Sequence, residues 1–367
     1  MNRLIIIGNG FDLAHGLKTK YSDFIEYYWK NLKRSDRLVT LESKFVIPDF
    51  DSLVDLRRIL QNTNRFQKQI NFQFENSFFD SLNSSMKNEN WVDIEMFYYQ
   101  KLKAAFKSKN ILAITKLNSE FENVKNTFEE YIDHINKNIC SESIYNSEIA
   151  EIFKPLHNGQ FYYTDFTAKL PTKFAGFLDS SCHDLANKRQ KLTSKTMILN
   201  FNYTNTLSCY NDVLAKSATI INHIHGEAKN DSNKIIFGFG DERDDLFSEM
   251  ENLNKNEVLH FMKSSFYLQS RNYFDMLNFI EDEEFIIEIM GHSCALSDRT
   301  LLKTLFEHPN CAHIFLFYHN KAEHEVATDN YLDLSLNISR HFDDKKLLRS
   351  RVANKIFCKS LPQNKKN

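Results

Sequence analysis

Four short polar segments carry the residues of this chain whose types and spacing could perform chemistry. They are GNGFD at 8–12, NFNYTN at 200–205, HIHGE at 223–227 and GHSCALSD at 291–298. A glycine turn lets backbone N–H groups approach a phosphate, and a side-chain amide donates and accepts hydrogen bonds, as a sugar requires. A histidine near its usual pKa can accept a proton during a reaction. These residue types favour a ligand that carries phosphate and sugar groups.

Each segment also has a purely structural interpretation. Gly8 and Gly10 could form only a tight turn from strand to helix, since Leu13 occupies the third glycine position of the G-x-G-x-x-G dinucleotide fingerprint. Asp12 could cap that helix or bind a ribose. The same choice, between a capping or turn role and a ligand contact, applies to Asn202, Asn205, Ser293 and Asp298.

Two histidines stand two residues apart in the third segment. Because side chains alternate along a strand, His223 and His225 would point to the same face. We expect His225 to be the general base and His223 to support it, since a shared metal site would need a third ligand that is not evident. The acidic run at 240–249 could gather a divalent cation, but such a run more often forms a solvated loop.

Short apolar runs predict the strands that must position these segments. They lie at 4–7, 197–201, 219–225, 235–239, 285–290 and 312–318. A helical pattern between the last two runs completes a strand–helix–strand unit, which indicates parallel strands. The predicted fold is therefore α/β, with a mostly parallel, Rossmann-like sheet flanked by helices, and a further helix is predicted at 256–281. In such sheets ligands bind at the carboxyl ends of the strands, where the four segments lie.

The chain between the first strand and the later strands shows helical periodicity instead. Apolar residues follow one helical stripe over 121–135 and another over 91–102. We therefore expect residues 21–194 to form a large helical insertion after the first strand. Residues 1–20 and 195–360 would together form the α/β core.

Composition argues against several classes of protein. The formal net charge of −2 provides no basic field for nucleic acid, and no apolar run reaches the roughly 18 residues that span a bilayer. The apolar run near the N-terminus is too short for a secretory signal. The six cysteines include no C-x-x-C pair, which argues against a disulfide framework and a zinc knuckle. We expect a cytoplasmic protein without a membrane partner.

Six motifs occur along the chain from residue 4 to about residue 303. They are IIIGNGFDLAHGLKTKYSDF, NWVDIE, LNFNYTNTL, HIHGE, FGFGDE and GHSCALSDRTLL. In this order they resemble the blocks of the bacteriophage abortive-infection AbiH family. The resemblance implies a role in antiviral defence, in which the infected cell dies or stops growing. AbiH-type proteins in turn look similar to the sirtuin-like, NAD-binding fold.

The sirtuin-like resemblance implies a role for each polar segment. The glycine turn would hold the dinucleotide, Asn202 would contact the nicotinamide ribose, and His225 would be the catalytic base. The other residues that it implies around NAD are Gly8, Asn9, Gly10, Phe11, Asp12, Tyr203, Gly226, Gly291, His292, Ser293 and Asp298. Thr204 stands where sirtuin-like NAD-cleaving proteins often carry Asp, and the zinc cysteines of deacetylating sirtuins are missing. Peptide deacetylation and a bound metal are therefore not expected.

The hypothesis that follows is hydrolysis of the nicotinamide–ribose bond of NAD, which would deplete NAD in the infected cell. A second hypothesis is a metal-dependent nuclease or phosphoesterase that uses the acidic residues at 241–245 with His15 or His292. A third is a non-catalytic nucleotide-binding sensor whose helical insertion docks a partner protein. A homo-oligomer is compatible with each hypothesis, and the sequence does not identify the phage trigger.

Overall fold

Most of the strands belong to one sheet. The computed structural model describes residues 1–32, 36–41, 49–52, 54–56, 72–85, 94–139, 144–155, 193–321 and 328–364. In chain order the strands are β1 (Asn2–Ile7), β2 (Val39–Leu41), β3 (Phe72–Phe74), β4 (Thr196–Asn200), β5 (Ile220–His223), β6 (Phe285–Met290), β7 (Cys311–Tyr318), β8 (Asn320–Lys321), β9 (Thr328–Asp329) and β10 (Lys359–Ser360).

Helices alternate with these strands and also form segments of their own. In chain order they are α1 (Asn9–Ala14), α2 (Tyr21–Asn31), α3 (Ser77–Ser85), α4 (Ile94–Lys107), α5 (Ile111–Lys137), α6 (Ser147–Phe153), α7 (Asn211–Lys216), α8 (Phe247–Asn252), α9 (Asn256–Leu259), α10 (Lys263–Tyr267), α11 (Arg271–Asp282), α12 (Arg299–Phe306), α13 (Tyr331–Ser339) and α14 (Lys345–Arg351). Short 3₁₀ helices lie at Thr206–Tyr210, Leu296–Asp298 and Lys355–Phe357.

β1 lies inside a six-stranded sheet. The strand order is β10-β7-β6-β1-β4-β5, and each neighbouring pair is parallel. Every residue of β1 is buried, as expected for a parallel strand that helices cover on both faces. The prediction of an α/β fold with a parallel sheet flanked by helices is confirmed. The observed strands start and end within two residues of the runs predicted at 4–7, 197–201, 285–290 and 312–318.

One compact unit contains this sheet and consists of Met1–Leu17, Ile139–Glu227 and Tyr267–Asn367. Helices α1 and α6 and the segment after β4 contribute to its apolar core. The large side chains packed together there are Ile5, Ile7, Phe11, Ile149, Phe153, Ile198, Leu207, Tyr210 and Met290. Because these side chains are removed from water together, their burial stabilises the sheet and the loops that leave it.

A second compact unit consists of Lys18–Asn138 and Ala228–Phe266. The long helix α5 packs in this unit against α2, α3, α4 and α9. Phe121 and Phe128 on α5 stack on the ring of Phe237 at centroid distances of 5.2 and 5.6 Å. Aromatic packing therefore supplies much of the core of this unit.

The helical predictions are met in part. The stripe at 121–135 lies in α5, as predicted, whereas Trp91 of the second stripe lies outside the described residues. The single helix predicted at 256–281 is wrong, because α9, α10 and α11 divide this segment and the Ser270 side chain caps the start of α11. The insertion predicted over 21–194 reaches residues outside the described part of the chain, so its extent stays a prediction.

The apolar run at 235–239 does not form the strand that its pattern predicts. Phe239 stacks on Tyr99 with ring centroids 3.9 Å apart, and its backbone makes only an isolated bridge with Met262. The run is apolar because its aromatic side chains are buried in the second unit. The small antiparallel pair of β2 and β3 was not predicted, since each strand has only three residues.

A buried ion pair also holds the second unit together. The Lys263 Nζ lies 2.9 Å from the Glu95 Oε2, and the Glu95 Oε1 accepts a hydrogen bond from the backbone N–H of Gly238. Lys263 is fully buried, and Glu95 is nearly so. The pair therefore joins α4 to two backbone segments that are distant in sequence.

Lys263→Met should lower the free energy of unfolding by about 3 kcal/mol, because it leaves the Glu95 carboxylate buried without this cation. Lys137→Met is the matched control, since the Lys137–Asp133 pair is exposed on α5 and its loss should cost less than about 1 kcal/mol. Urea unfolding of both variants measures the difference. Equal losses in the two variants would contradict a stabilising role for the buried pair.

Candidate functional site

The four polar segments follow four neighbouring strands of the sheet. The strands are β6, β1, β4 and β5 in spatial order, and all four segments belong to the first compact unit. Because parallel strands present their carboxyl ends at one edge, the segments leave the sheet on the same side.

The glycine turn after β1 packs against the loop after β6. The Gly10 N–H donates to the Gly291 carbonyl at 2.7 Å, and a Cβ on Gly10 would lie 2.8 Å from that oxygen. A Cβ on Gly8 would lie 2.6 Å from the His292 Cα, and Gly291 has a φ of +74°. These glycines are therefore required for close backbone contact between two loops, which is the structural interpretation of the turn.

Asp12 does not cap the first helix, so the capping interpretation is wrong. Gly8 occupies the N-cap position of α1, and Asp12 lies within the helix. Its Oδ2 accepts a hydrogen bond from the Thr204 hydroxyl at 2.7 Å, and its Oδ1 accepts one from the Thr206 hydroxyl at 2.8 Å. Burial raises the pKa of Asp12 to about 6, although these hydrogen bonds oppose the shift. Thr204, which departs from the sirtuin-like pattern, is thus a partner of Asp12.

Asn202 is buried between the glycine turn and the end of β4. Its Nδ2 donates to the Gly8 carbonyl at 3.1 Å, and its backbone N–H donates to the Asn200 Oδ1 at 3.0 Å. The side chain therefore links two of the four segments instead of lying in an exposed turn. The remaining amide oxygen of Asn202 can accept a further hydrogen bond.

His225 lies in a turn and not in a strand. β5 ends at His223, and the Gly226 N–H donates to the His223 carbonyl at 2.9 Å, so the strand predicted to reach residue 225 is shorter than expected. The expected shared face for the two histidines therefore does not apply. The His225 Nε2 lies 3.1 Å from the Tyr267 hydroxyl and 3.3 Å from the Asp298 Oδ1.

Asp298 lies between two histidines. The His292 Nε2 is 3.6 Å from the Asp298 Oδ2, and the His292 Nδ1 accepts a hydrogen bond from the Cys294 N–H at 3.0 Å. A neutral His292 must therefore carry its proton on Nε2, which faces the carboxylate. Asp298 occupies the N-cap position of α12, but its side chain makes no capping hydrogen bond. The carboxylate lies close to His225 and His292 instead.

The other predicted site residues differ in burial and in their distance from the cluster of His225, His292 and Asp298. Tyr203 is half-buried, and its ring lies nearly parallel to that of His225 with centroids 6.4 Å apart. Asn9 is half-buried in the first turn of α1, and Phe11 is fully buried in the apolar core. Ser293 is exposed, and its carbonyl accepts a hydrogen bond from Asn337.

Tyr267 is a residue that the sequence analysis missed. It comes from α10, 42 residues after His225, and no motif surrounds it. Its ring also stacks on that of Tyr273 with centroids 5.2 Å apart. Only the chain's return to the sheet edge brings Tyr267 to the histidine.

Two residues of the metal-dependent hypothesis, His15 and Asp244, contact other protein groups in the structure. The His15 Nδ1 lies 2.7 Å from the Phe11 carbonyl and its Nε2 lies 2.5 Å from the Tyr210 hydroxyl, while Asp244 pairs with Lys103 at 2.9 Å. Within the described residues, no group of three or more His, Cys, Asp or Glu side chains could hold a metal ion.

In the same part of the chain, no helix combines the length and the apolarity that crossing a membrane requires.

Asp12→Asn should remove a pH dependence of stability. Folding raises the pKa of this carboxyl, so the folded state retains a proton that the unfolded state has lost between about pH 4 and pH 6. The stabilisation is present at low pH and is lost as the pH rises, by about 1 kcal/mol between pH 5 and pH 8. Urea unfolding at both pH values should show this loss in the wild type and in Asp212→Asn, an exposed control, but not in Asp12→Asn. An unchanged pH slope in Asp12→Asn would contradict the shift.

Gly291→Ala and Gly16→Ala should separate steric conflict from backbone strain. Both glycines have a positive φ, of +74° and +80°, so both substitutions carry a strain of about 1–2 kcal/mol. A Cβ at Gly16 meets nothing within 4 Å, whereas a Cβ at Gly291 would lie 2.1 Å from the Phe11 nitrogen. Gly291→Ala should therefore cost at least about 2 kcal/mol more in unfolding free energy. Similar costs would show that the two loops can move apart easily.

Comparison with known proteins identifies the family of this chain. A comparison with curated proteins finds no match. The family model described as "Bacteriophage abortive infection AbiH" matches residues 4–319, which includes all four polar segments, the whole of the second compact unit and most of the first. Since that match covers most of the 367 residues, the chain belongs to the bacteriophage abortive infection AbiH family.

Proposed function

We propose that this protein is an abortive-infection effector that binds NAD and hydrolyses the bond between its nicotinamide and ribose. The observation that carries the proposal is the buried His225–Asp298 pair at the carboxyl edge of the parallel sheet. Nucleotides bind at this edge in open α/β sheets. Membership of the AbiH family supports the defence role, and the sirtuin-like character of the sheet is part of the same proposal.

The reaction requires little acid assistance. Water oxygen forms a bond to C1′ of the ribose, while the bond from C1′ to the nicotinamide nitrogen breaks and leaves its electron pair on that nitrogen. Nicotinamide departs as a neutral molecule because the ring nitrogen of NAD is positively charged. The water also loses a proton to a base, so the products are nicotinamide, ADP-ribose and one proton. The protein must therefore orient the water and stabilise positive charge on the ribose.

His225 is suited to accept the proton from water. A carboxylate oxygen of Asp298 lies 3.3 Å from the His225 Nε2, which favours the neutral tautomer with the hydrogen on that nitrogen. The Nδ1 is then the basic nitrogen, and Asp298 stabilises the imidazolium that forms when it takes a proton. His292 directs its own Nε2–H toward the other oxygen of Asp298, so the carboxylate charge is balanced from two sides.

Asn202 is suited to hold the ribose. Its Nδ2 already donates to the Gly8 carbonyl, which fixes the orientation of the amide. The Oδ1 is then the atom that accepts a ribose hydroxyl in this proposal. Gly8 and Gly10 hold the neighbouring loop in contact with Gly291, which positions Asn202 whether or not the turn itself touches a phosphate.

Purified protein incubated with NAD should release nicotinamide, as followed by liquid chromatography, and EDTA should not slow the release. His225→Ala should lower kcat by at least about 100-fold, since general bases contribute about 10²–10⁴-fold, while NAD affinity stays within a few-fold. The exposed His260→Ala should behave as the wild type.

The outcomes separate the three hypotheses. Nicotinamide release that persists in His225→Ala would remove this histidine from the mechanism. Cleavage of nucleic acid that EDTA abolishes would favour the metal-dependent hypothesis. Tight NAD binding without any turnover would favour a nucleotide sensor.

A further inference from the structure

His341 is a buried histidine that none of the four polar segments contains. It lies just after α13, outside the residues 4–319 that the family model matches, and it is fully buried. Its Nε2 is 2.9 Å from the carbonyl oxygen of Cys294, in the loop after β6. A carbonyl only accepts hydrogen bonds, so the His341 Nε2 carries a hydrogen and donates it. The ring therefore binds the same loop that carries His292.

The hydrogen bond to Cys294 orients the His341 ring. Among the described residues, the His341 Nδ1 has no hydrogen-bond partner. The ring packs edge-on against Phe306 with centroids 5.7 Å apart, but an aromatic contact does not distinguish the two nitrogens. Burial lowers the pKa of His341, although the hydrogen bond to Cys294 opposes the shift. At neutral pH the ring therefore has a single hydrogen, which lies on Nε2.

Cys294 has a backbone conformation that needs support from its neighbours. Its φ is +52°, in the left-handed region that is unfavourable for a residue with a Cβ. In the same loop Gly291 has a φ of +74°, which glycine adopts without strain, but position 294 is not a glycine. The hydrogen bond from His341 and the burial of the cysteine side chain oppose this strain. Without the His341 donor, residue 294 can relax to a negative φ, which rotates its N–H.

The Cys294 N–H in turn determines which nitrogen of His292 is protonated. It donates to the His292 Nδ1 at 3.0 Å, so a neutral His292 carries its hydrogen on Nε2, 3.6 Å from the Asp298 Oδ2. The Phe201 ring packs on His292 with centroids 4.3 Å apart, which sets where the imidazole lies but not where its hydrogen is. If the Cys294 N–H turned away, the hydrogen could move to Nδ1. The Nε2 lone pair would then face the carboxylate and repel it.

We propose that His341 is a positioning residue, which holds the Cys294 backbone so that His292 presents an Nε2–H to the Asp298 carboxylate. Asp298 then keeps its other oxygen beside the His225 Nε2. This inference rests on the proposed function where it concerns catalysis, because His225 is the base of that reaction. The tautomer of His292 can be measured without NAD.

His341→Phe tests the proposal, because it keeps a ring against Phe306 and removes both nitrogens. Long-range proton–nitrogen NMR spectra report which imidazole nitrogen carries the hydrogen. His292 should be almost entirely the Nε2–H tautomer in the wild type, and a mixture of both tautomers in His341→Phe. The kcat for nicotinamide release should fall about tenfold, a part of the 10²–10⁴-fold that a general base contributes, while KM stays within about threefold.

Two further variants separate positioning from a loss of stability. His341→Gln should keep the Nε2–H tautomer of His292 and most of kcat, since the glutamine amide can donate to the Cys294 carbonyl. His313→Phe is the matched control, because His313 is buried in the same compact unit but lies near the amino end of β7. It should change neither the His292 tautomer nor kcat, even if its melting temperature falls. His341→Met is the second variant if the larger ring prevents folding.

Failure of this inference is distinguishable from failure of the proposed function. An unchanged His292 tautomer in His341→Phe and His341→Met overturns the inference, as does an equal change in His341→Gln or His313→Phe. In an active wild type, a tautomer change without a fall in kcat overturns the link to catalysis. A wild type that releases no nicotinamide overturns the proposed hydrolysis, and the tautomer then decides whether His341 positions His292.

Discussion

The candidate site depends on one close contact between two backbones. β1 and β6 are neighbouring parallel strands, so the loops that follow them leave the sheet side by side. They touch where Gly10 donates to the Gly291 carbonyl, at a distance that leaves no space for a Cβ on either residue. Because His292 follows Gly291 directly, this contact also sets where the imidazole can lie. The histidine then reaches Asp298, and Asp298 reaches His225.

Asp12 and Asp298, two buried carboxylates in the first compact unit, show how the surroundings of a residue determine its role. Asp12 is held by the hydroxyls of Thr204 and Thr206, which are neutral, so burial dominates and the pKa of Asp12 rises. Asp298 instead faces two imidazole rings, which can carry positive charge. The first arrangement ties a loop to a helix, and the second can stabilise a proton that moves during a reaction.

The family motifs serve two different parts of the molecule. Glu95 of the NWVDIE motif accepts a hydrogen bond from Gly238 of the FGFGDE motif, and both lie in the second compact unit. This contact belongs to a buried ion pair and an aromatic core. The other motifs lie wholly or in part at the carboxyl edge of the sheet in the first unit. A motif in this family can therefore indicate either a structural contact or a candidate site, and only its contacts distinguish the two.

The sequence by itself determined the parallel α/β sheet, because short apolar runs with turn residues between them have few other ways to be buried. It also indicated the loops of the candidate site, since polar residues at the carboxyl ends of such strands converge on one edge. The sequence could not show that the run at 235–239 belongs to an aromatic core, because burial in a sheet and burial among helices require the same apolar residues. Tertiary structure alone decided the partners of Asp12, the turn at His225 and the approach of Tyr267, because these contacts join segments that are distant along the chain. Local periodicity carries no information about such contacts, which depend on how the whole chain packs.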